Sequence, residues 1–171
     1  ALRSESNTRT MDVEHFYRGY RKTALAKAEI IEKIVIPRKR QNWLFKIYKV
    51  TKRWEDDVSA VCAAFYLCLE ISVVKDIRIA FGGMAEIHRR AIHLEEFLKS
   101  SRWEMEAFER AGEELAKDFT PIDDVRASKK YRMMVAQNLL KKLYLEVSAS
   151  LENSQPQITR ISQFESSCKN Q

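Results

Sequence analysis

The stretch Phe45 to Phe65, FKIYKVTKRWEDDVSAVCAAF, decides how the rest of the chain is read. It opens with spaced apolar side chains (Phe45, Ile47, Val50), gathers charge around a tryptophan between Lys52 and Asp57, and returns to a small-residue apolar run from Val58 to Phe65. Alternation, a charged break and a second apolar run predict a strand, a bend and a second buried segment. The bend sets Lys49, Lys52 and Arg53 on one limb against Glu55, Asp56 and Asp57 on the other. Cations so placed meet phosphate while the carboxylates accept from hydroxyl or amide groups, a combination that suits an anionic nucleotide.

Toward the N-terminus, the β-branched run of Glu29 to Pro37 (Ile30, Ile31, Ile34, Val35, Ile36) predicts a strand that Pro37 ends for want of an N–H. Arg38 to Asn42 reads as a polar turn. Between Val13 and Leu25 the aromatics Phe16, Tyr17 and Tyr20 alternate with Arg18, Arg21 and Lys22 around Gly19, which permits a close approach or an unusual backbone angle. Such interleaving can stack and pair single-stranded nucleic acid; the plainer expectation is a loop whose rings pack down while the arginines stay wet. Residues 1 to 11 are polar and aperiodic, as in a linker.

Toward the C-terminus, Val58 to Glu70 fits either a helix or a buried strand on periodicity alone. Val73 to Phe81 alternates and stops at Gly82 and Gly83, which predicts a strand closed by a structural turn. A helical texture follows: Ala91, Leu94 and Leu98 share a face, and Ser101 with Glu104 makes a capping-box signature for a helix carrying Phe108, Ala111 and Leu115. A third helix is expected from Ser128 to about Val147, with Tyr131, Val135, Leu139 and Leu143 on one stripe. Asp123, Asp124 and Arg126 before it read as a tied loop. The tail, 148 to 171, is polar and is expected to be disordered or loosely docked.

A chain of 171 residues with 45% hydrophobic and 32% charged residues holds one good core or two small modules. No apolar run approaches the roughly 20 residues of a membrane span, and no apolar secretory signal opens the sequence, so the expectation is cytoplasmic with no membrane partner. Cys62, Cys68 and Cys168 fit neither a disulfide framework nor paired metal ligands and read as reduced. Residues 1 to 60 hold 14 Lys and Arg against 8 Asp and Glu, so the entire formal excess of +6 lies there. An anionic partner would meet that part, unless it is a solvated basic face. His15, His88 and His93 lack the partners of a metal set, and no serine or cysteine sits in a nucleophile motif. Any redox chemistry therefore belongs to a cofactor that the protein binds and orients.

The string KVTKRWEDDVSAVCAAF resembles the lysine, arginine, acid-pair signature of the flavin domain in molybdenum hydroxylases, above all those of xanthine dehydrogenase type. The likeness continues in DVEHFYRGYRKTAL (Asp12 to Leu25), EIIEKIVIP (Glu29 to Pro37), IRIAFGGMA (Ile77 to Ala85) and FTPIDDVRASKKYR (Phe119 to Arg132), in family order. It implies a strand for Val58 to Glu70 and an α+β fold: a short antiparallel sheet over about 29 to 83 packed on a three-helix layer over about 89 to 147. It further implies domains at 1–43 (end of the FAD-binding domain), 44–147 (a CO dehydrogenase flavoprotein C-terminal-like domain) and 148–171 (tail).

Functionally the resemblance implies a fragment of the flavin subunit, inactive alone, that helps bind FAD and pass electrons to NAD. Lys49 would supply a cation and Ile31 an apolar wall at the flavin; Tyr20 and the bend with Arg53, Glu55 and Asp56 would border the nicotinamide site. Partners implied are the upstream half of the FAD domain, an iron–sulfur domain with its clusters, and a molybdenum subunit with molybdopterin. Two departures stand out: Trp54 replaces a second basic residue of the pattern, and the glycine-rich segments for the flavin pyrophosphate have no counterpart here. The alternative, from another class, is a basic interaction module for nucleic acid or an acidic protein, whose binding would fall steeply with salt.

Overall fold

The computed structural model describes residues 1–53 and 57–154. Its N-terminal part is built from short strands: β1 (Leu2–Arg3), β2 (Thr8–Arg9), β3 (Tyr17–Gly19), β4 (Lys22–Thr23) and β5 (Ile30–Ile31). β1 pairs antiparallel with β2 and β5, and β3 with β4. The Arg9 guanidinium grips Glu29 at 2.7 and 2.8 Å and donates to the Ala24 carbonyl at 2.7 Å. With the Arg9 hydrogen bonds first and the Ala26 N–H second, the Glu29 carboxyl is held down at about 2.

The strand expected over Glu29 to Pro37 is confined to Ile30 and Ile31. Beyond them the Glu32 and Lys33 N–H groups donate to the Ala1 carbonyl, and Ile34, Val35 and Ile36 stand 72–82% exposed. β-branched residues favour extended backbone, but a strand also needs a neighbour to bond. Phe16 packs down as expected, whereas Tyr17 and Tyr20 stay exposed. Gly19 is not forced to be glycine: a Cβ there would meet nothing closer than Glu86 Oε2 at 3.6 Å, and the positive φ of 56° belongs to Arg21.

The main sheet has the order β6-β7-β8-β9, all antiparallel, from β6 (Trp43–Val50), β7 (Val61–Glu70), β8 (Val73–Gly82) and β9 (Arg89–Arg90). It therefore starts at Trp43 rather than near residue 29. Burial along β7 settles its ambiguity, since Val61, Ala63, Phe65 and Leu67 are wholly buried at a period of two. A two-residue turn, Ile71 (φ 46°) and Ser72 (φ 60°), joins β7 to β8. Two successive positive φ angles match the right-handed twist of a hairpin, although asparagine and glycine are the residues that adopt them readily. The Gly82–Gly83 turn is as expected: Gly83 has φ 80°, and a Cβ there would lie 2.3 Å from the Ala60 carbonyl oxygen.

One face of this sheet is covered by α1 (Ile92–Leu98), α2 (Met105–Asp118) and α3 (Lys129–Ser154). Phe65, Leu67, Ile79 and Phe81 meet Leu94, Leu98, Phe108, Leu115, Leu140 and Leu143 in one core. The Ser101 capping box does not form: the Ser101 hydroxyl donates to the Leu98 carbonyl, and Glu104 occupies the position before α2 without a side-chain bond. Asp118, at the end of α2, instead accepts from the His93 and Leu94 N–H groups at 3.1 and 3.0 Å and so caps α1. Ser128 does cap α3, through the Tyr131 N–H at 3.2 Å.

On α3, Leu139 and Leu143 face the core as expected, but Tyr131 is exposed and the inward positions are taken by Arg132 and Ala136. Leu140 and Val147 are also buried, which turns the stripe by about one position. The helix continues past Val147 to Ser154, and the Trp103 indole N–H donates to Ser148 Oγ at 2.8 Å. The remainder of the tail, with Cys168, lies outside the described residues.

Candidate functional site

The helices cover only one face of the main sheet. Register places Lys49, Cys62 and Gly82 in one row of the other face, Ile47, Ala64 and Ala80 in the next, and Phe45, Tyr66 and Arg78 in a third. Phe45 and Ile47 are more than half exposed. The small Ala64 and Ala80 leave a groove of about 410 Å³, walled by Phe45, Tyr66, Val13 and Tyr17 and rimmed by Arg78, His88 and Arg90. Trp43 stacks on the Tyr66 wall at 4.4 Å between ring centroids.

Lys49 is exposed on this open face and has no ion pair among the described residues. Its neighbour Cys62 is a half-buried free thiol, pushed up by burial against the opposing pull of the Lys49 charge. The row thus presents one unpaired cation beside a small neutral side chain, while the His88 ring lies over Gly82 and fills the space a Cβ there would need.

At the end of β6 the chain enters the charged bend. Asp57 Oδ2 accepts from the Lys52 and Arg53 N–H groups at 3.1 and 3.0 Å, which together with the Arg53 charge 3.7 Å away draws its carboxyl below the usual range. Asp57 is therefore committed to holding the bend. The Lys52 ammonium donates to the Val125 carbonyl at 2.9 Å, and Lys52, Arg53, Asp57, Ala60, Val125 and Arg126 line a notch of about 330 Å³. Arg53 is exposed there, while Glu55 and Asp56 lie outside the described residues.

The other expected site residues sit in the N-terminal part. Ile31, on β5, is half exposed, and Tyr20, two thirds exposed, carries the Arg21 guanidinium 5.2 Å above its ring. Lys49 thus lies in the main sheet, Ile31 in the sheet of β1, β2 and β5, and Tyr20 in the turn between β3 and β4, and no hydrogen bond among the described residues joins them. All three present their side chains to solvent, as residues that contact a ligand must.

Sequence reasoning missed Arg132. Its side chain is 4% exposed, and its guanidinium donates to Asp124 Oδ1 at 2.6 Å, to the Gly83 carbonyl at 2.8 Å and to the Ala60 carbonyl. The available signal was an arginine four residues before Ala136 on an otherwise apolar stripe. Asp124 has further bonds to the Arg126 and Ala127 N–H groups, with Arg126 more distant at 3.8 Å, so the expected tied loop forms around Asp124.

The profile of the CO dehydrogenase flavoprotein C-terminal domain family matches residues 46–147. The chain belongs to that family. Among curated relatives, xanthine dehydrogenase/oxidase of Mus musculus is 29% identical over 154 residues, covering 88% of this chain and 12% of its own. The nicotine 6-hydroxylase medium subunit of Paenarthrobacter nicotinovorans is 29% identical over 148 residues, 86% of this chain and 51% of that one. In structure, reconstituted CO dehydrogenase from Oligotropha carboxidovorans superposes with a TM-score of 0.76 at 20% identity, covering 82% of this chain and 49% of that one. Quinoline 2-oxidoreductase from Pseudomonas putida 86 gives 0.72 at 23% identity, over 87% and 51%. The chain thus spans about half of a medium subunit and about an eighth of a mammalian relative. The α+β architecture is that of the family's flavoprotein C-terminal domain, and no helix among the described residues is long and apolar enough to cross a membrane.

Proposed function

We propose that this CO dehydrogenase flavoprotein C-terminal-type chain supplies one wall of an FAD site in a molybdenum hydroxylase of xanthine dehydrogenase type, from which electrons pass to NAD. The observation that carries the reading is Lys49, an exposed and unpaired cation on the one face of the main sheet that no helix covers. Bound FAD supplies the redox chemistry itself. The Lys49 ammonium attracts the negative charge that a reduced isoalloxazine ring acquires, and Ile31 offers apolar surface to a ring. Tyr20 and the bend, with Arg53, Glu55 and Asp56, border the dinucleotide.

The partners in this reading are the upstream half of the FAD domain, an iron–sulfur domain and a molybdenum subunit with molybdopterin, all in the cytoplasm. The exposed Ile34, Val35 and Ile36 support the first of these, since contiguous apolar surface of this kind marks a contact. The test is to produce the chain together with its upstream half and compare it with Lys49→Ala. The variant is expected to lose flavin absorbance or the bleaching of that absorbance by NADH, which passes a hydride to the bound flavin. An unchanged spectrum and rate would sink the proposal.

A further inference from the structure

Three sequence blocks that lie far apart in the chain meet at one buried guanidinium. Ala60 lies between the charged bend and β7, Gly83 follows β8, and Asp124 lies in the loop before α3; Arg132 donates to all three. Each contact bears on the bend. The Ala60 N–H donates to the Val50 carbonyl at 2.8 Å, closing the bend at its base. Asp124 shapes the turn that presents the Val125 carbonyl, and Val125 holds the Lys52 ammonium from the other side. Gly83 cannot carry a side chain, because a Cβ would lie 2.3 Å from the Ala60 oxygen and 3.0 Å from Arg132 Nη1.

We propose that Arg132 is a positioning residue that sets the described limbs of the bend, Lys52 with Arg53 and Asp57, by fixing their base and the Val125 contact to one point in the core. This rests on the bend's role beside the dinucleotide proposed above. A forked, planar, permanently charged donor is needed because the acceptors lie on three segments and the two Nη groups must reach them in different directions. The remaining Nε–H is buried without an acceptor among the described residues. An unsatisfied buried donor costs stability, so the guanidinium is held here for the geometry it imposes.

The experiment is amide hydrogen exchange on the full chain, read at Lys52 and Arg53, whose N–H groups donate to Asp57. Arg132→Met is compared with Leu139→Ala, a core variant elsewhere on α3, at matched distance below each melting temperature. Exchange at Lys52 and Arg53 is expected to rise at least about tenfold in Arg132→Met and to stay unchanged in Leu139→Ala, as local opening predicts. Arg132→Lys, with one ammonium for three acceptors, should restore part of the protection. Asp124→Asn should lose part of it, and this pair carries the same comparison if Arg132→Met does not fold. Unchanged protection in the Arg132 and Asp124 variants, or an equal rise in Leu139→Ala, overturns the proposal. No flavin enters the measurement, so its outcome is separable from that of Lys49→Ala.

Discussion

Ile79, in β8, is completely buried, whereas Ile36, in the N-terminal segment, is 82% exposed. Both are isoleucines outside any helix. The difference lies in what surrounds them: β8 is bonded on both sides and roofed by helices, while residues 34–36 have no ladder partner among the described residues. The sheet and helices from residue 43 onward complete their own core. The first 42 residues hold together through polar links such as Arg9–Glu29, bury little beyond Leu2, Phe16 and Ala24, and turn Ile30, Ile31, Ile34, Val35 and Ile36 outward.

The sharpest break of this contrast is a pair of truncations. Phe65→Ala, in the middle of the core, is expected to cost about 3–5 kcal/mol in urea unfolding, whereas Ile36→Ser should change the stability of this chain by less than about 0.5 kcal/mol. A large loss at Ile36 would mean that the segment is packed after all. Next in size, Arg132→Met should cost about 3 kcal/mol by stranding Asp124 and two carbonyls, measured in the same way.

A gain is expected at the hairpin. Ile71→Asn with Ser72→Gly removes two left-handed angles from residues that resist them, and should stabilise by about 1–2 kcal/mol and raise the melting temperature. The smallest effect is confined to the N-terminal part. The Glu29 carboxyl titrates at about 2 when folded, below its ordinary 4.5. Its stabilising contribution is therefore full above pH 4.5 and is lost as pH falls toward 2. The Ala26 amide resonance, bonded to Glu29 at 2.8 Å, should shift with a midpoint near pH 2, where the folded carboxyl titrates, and Glu29→Gln should abolish the shift while the core resonances stay put.

Much of the body was legible in the residues. The strand over Phe45 to Val50, the Gly82–Gly83 stop and the apolar faces of α1 and α2 appear where the sequence places them, whereas Phe45 and Ile47 turn outward and the stripe of α3 is shifted. The strand assignment of Val61–Glu70 was not legible from spacing, because its apolar positions satisfy both periods; pairing on both sides decides it. Helix ends misled for a different reason. Ser101 and Glu104 have the right identities for a cap, but the cap of α1 comes from Asp118, which no local pattern reveals. At the site, Lys49 came from the family resemblance: alternation puts it on one face with the apolar Phe45 and Ile47, and only the structure shows that this face is open. Arg132 was not legible, since its three acceptors come together only when the chain has folded.

The capping of α1 by Asp118 also has a temporal side. A helix of seven residues is marginal in isolation, and the carboxylate that completes its first turn is made 25 residues after His93. During synthesis the α1 stretch therefore leaves the ribosome as coil and winds up only once α2 has arrived to hold it. A Φ-value near zero for Leu94→Ala, alongside a substantial one for Leu115→Ala, is the kinetic signature of that order.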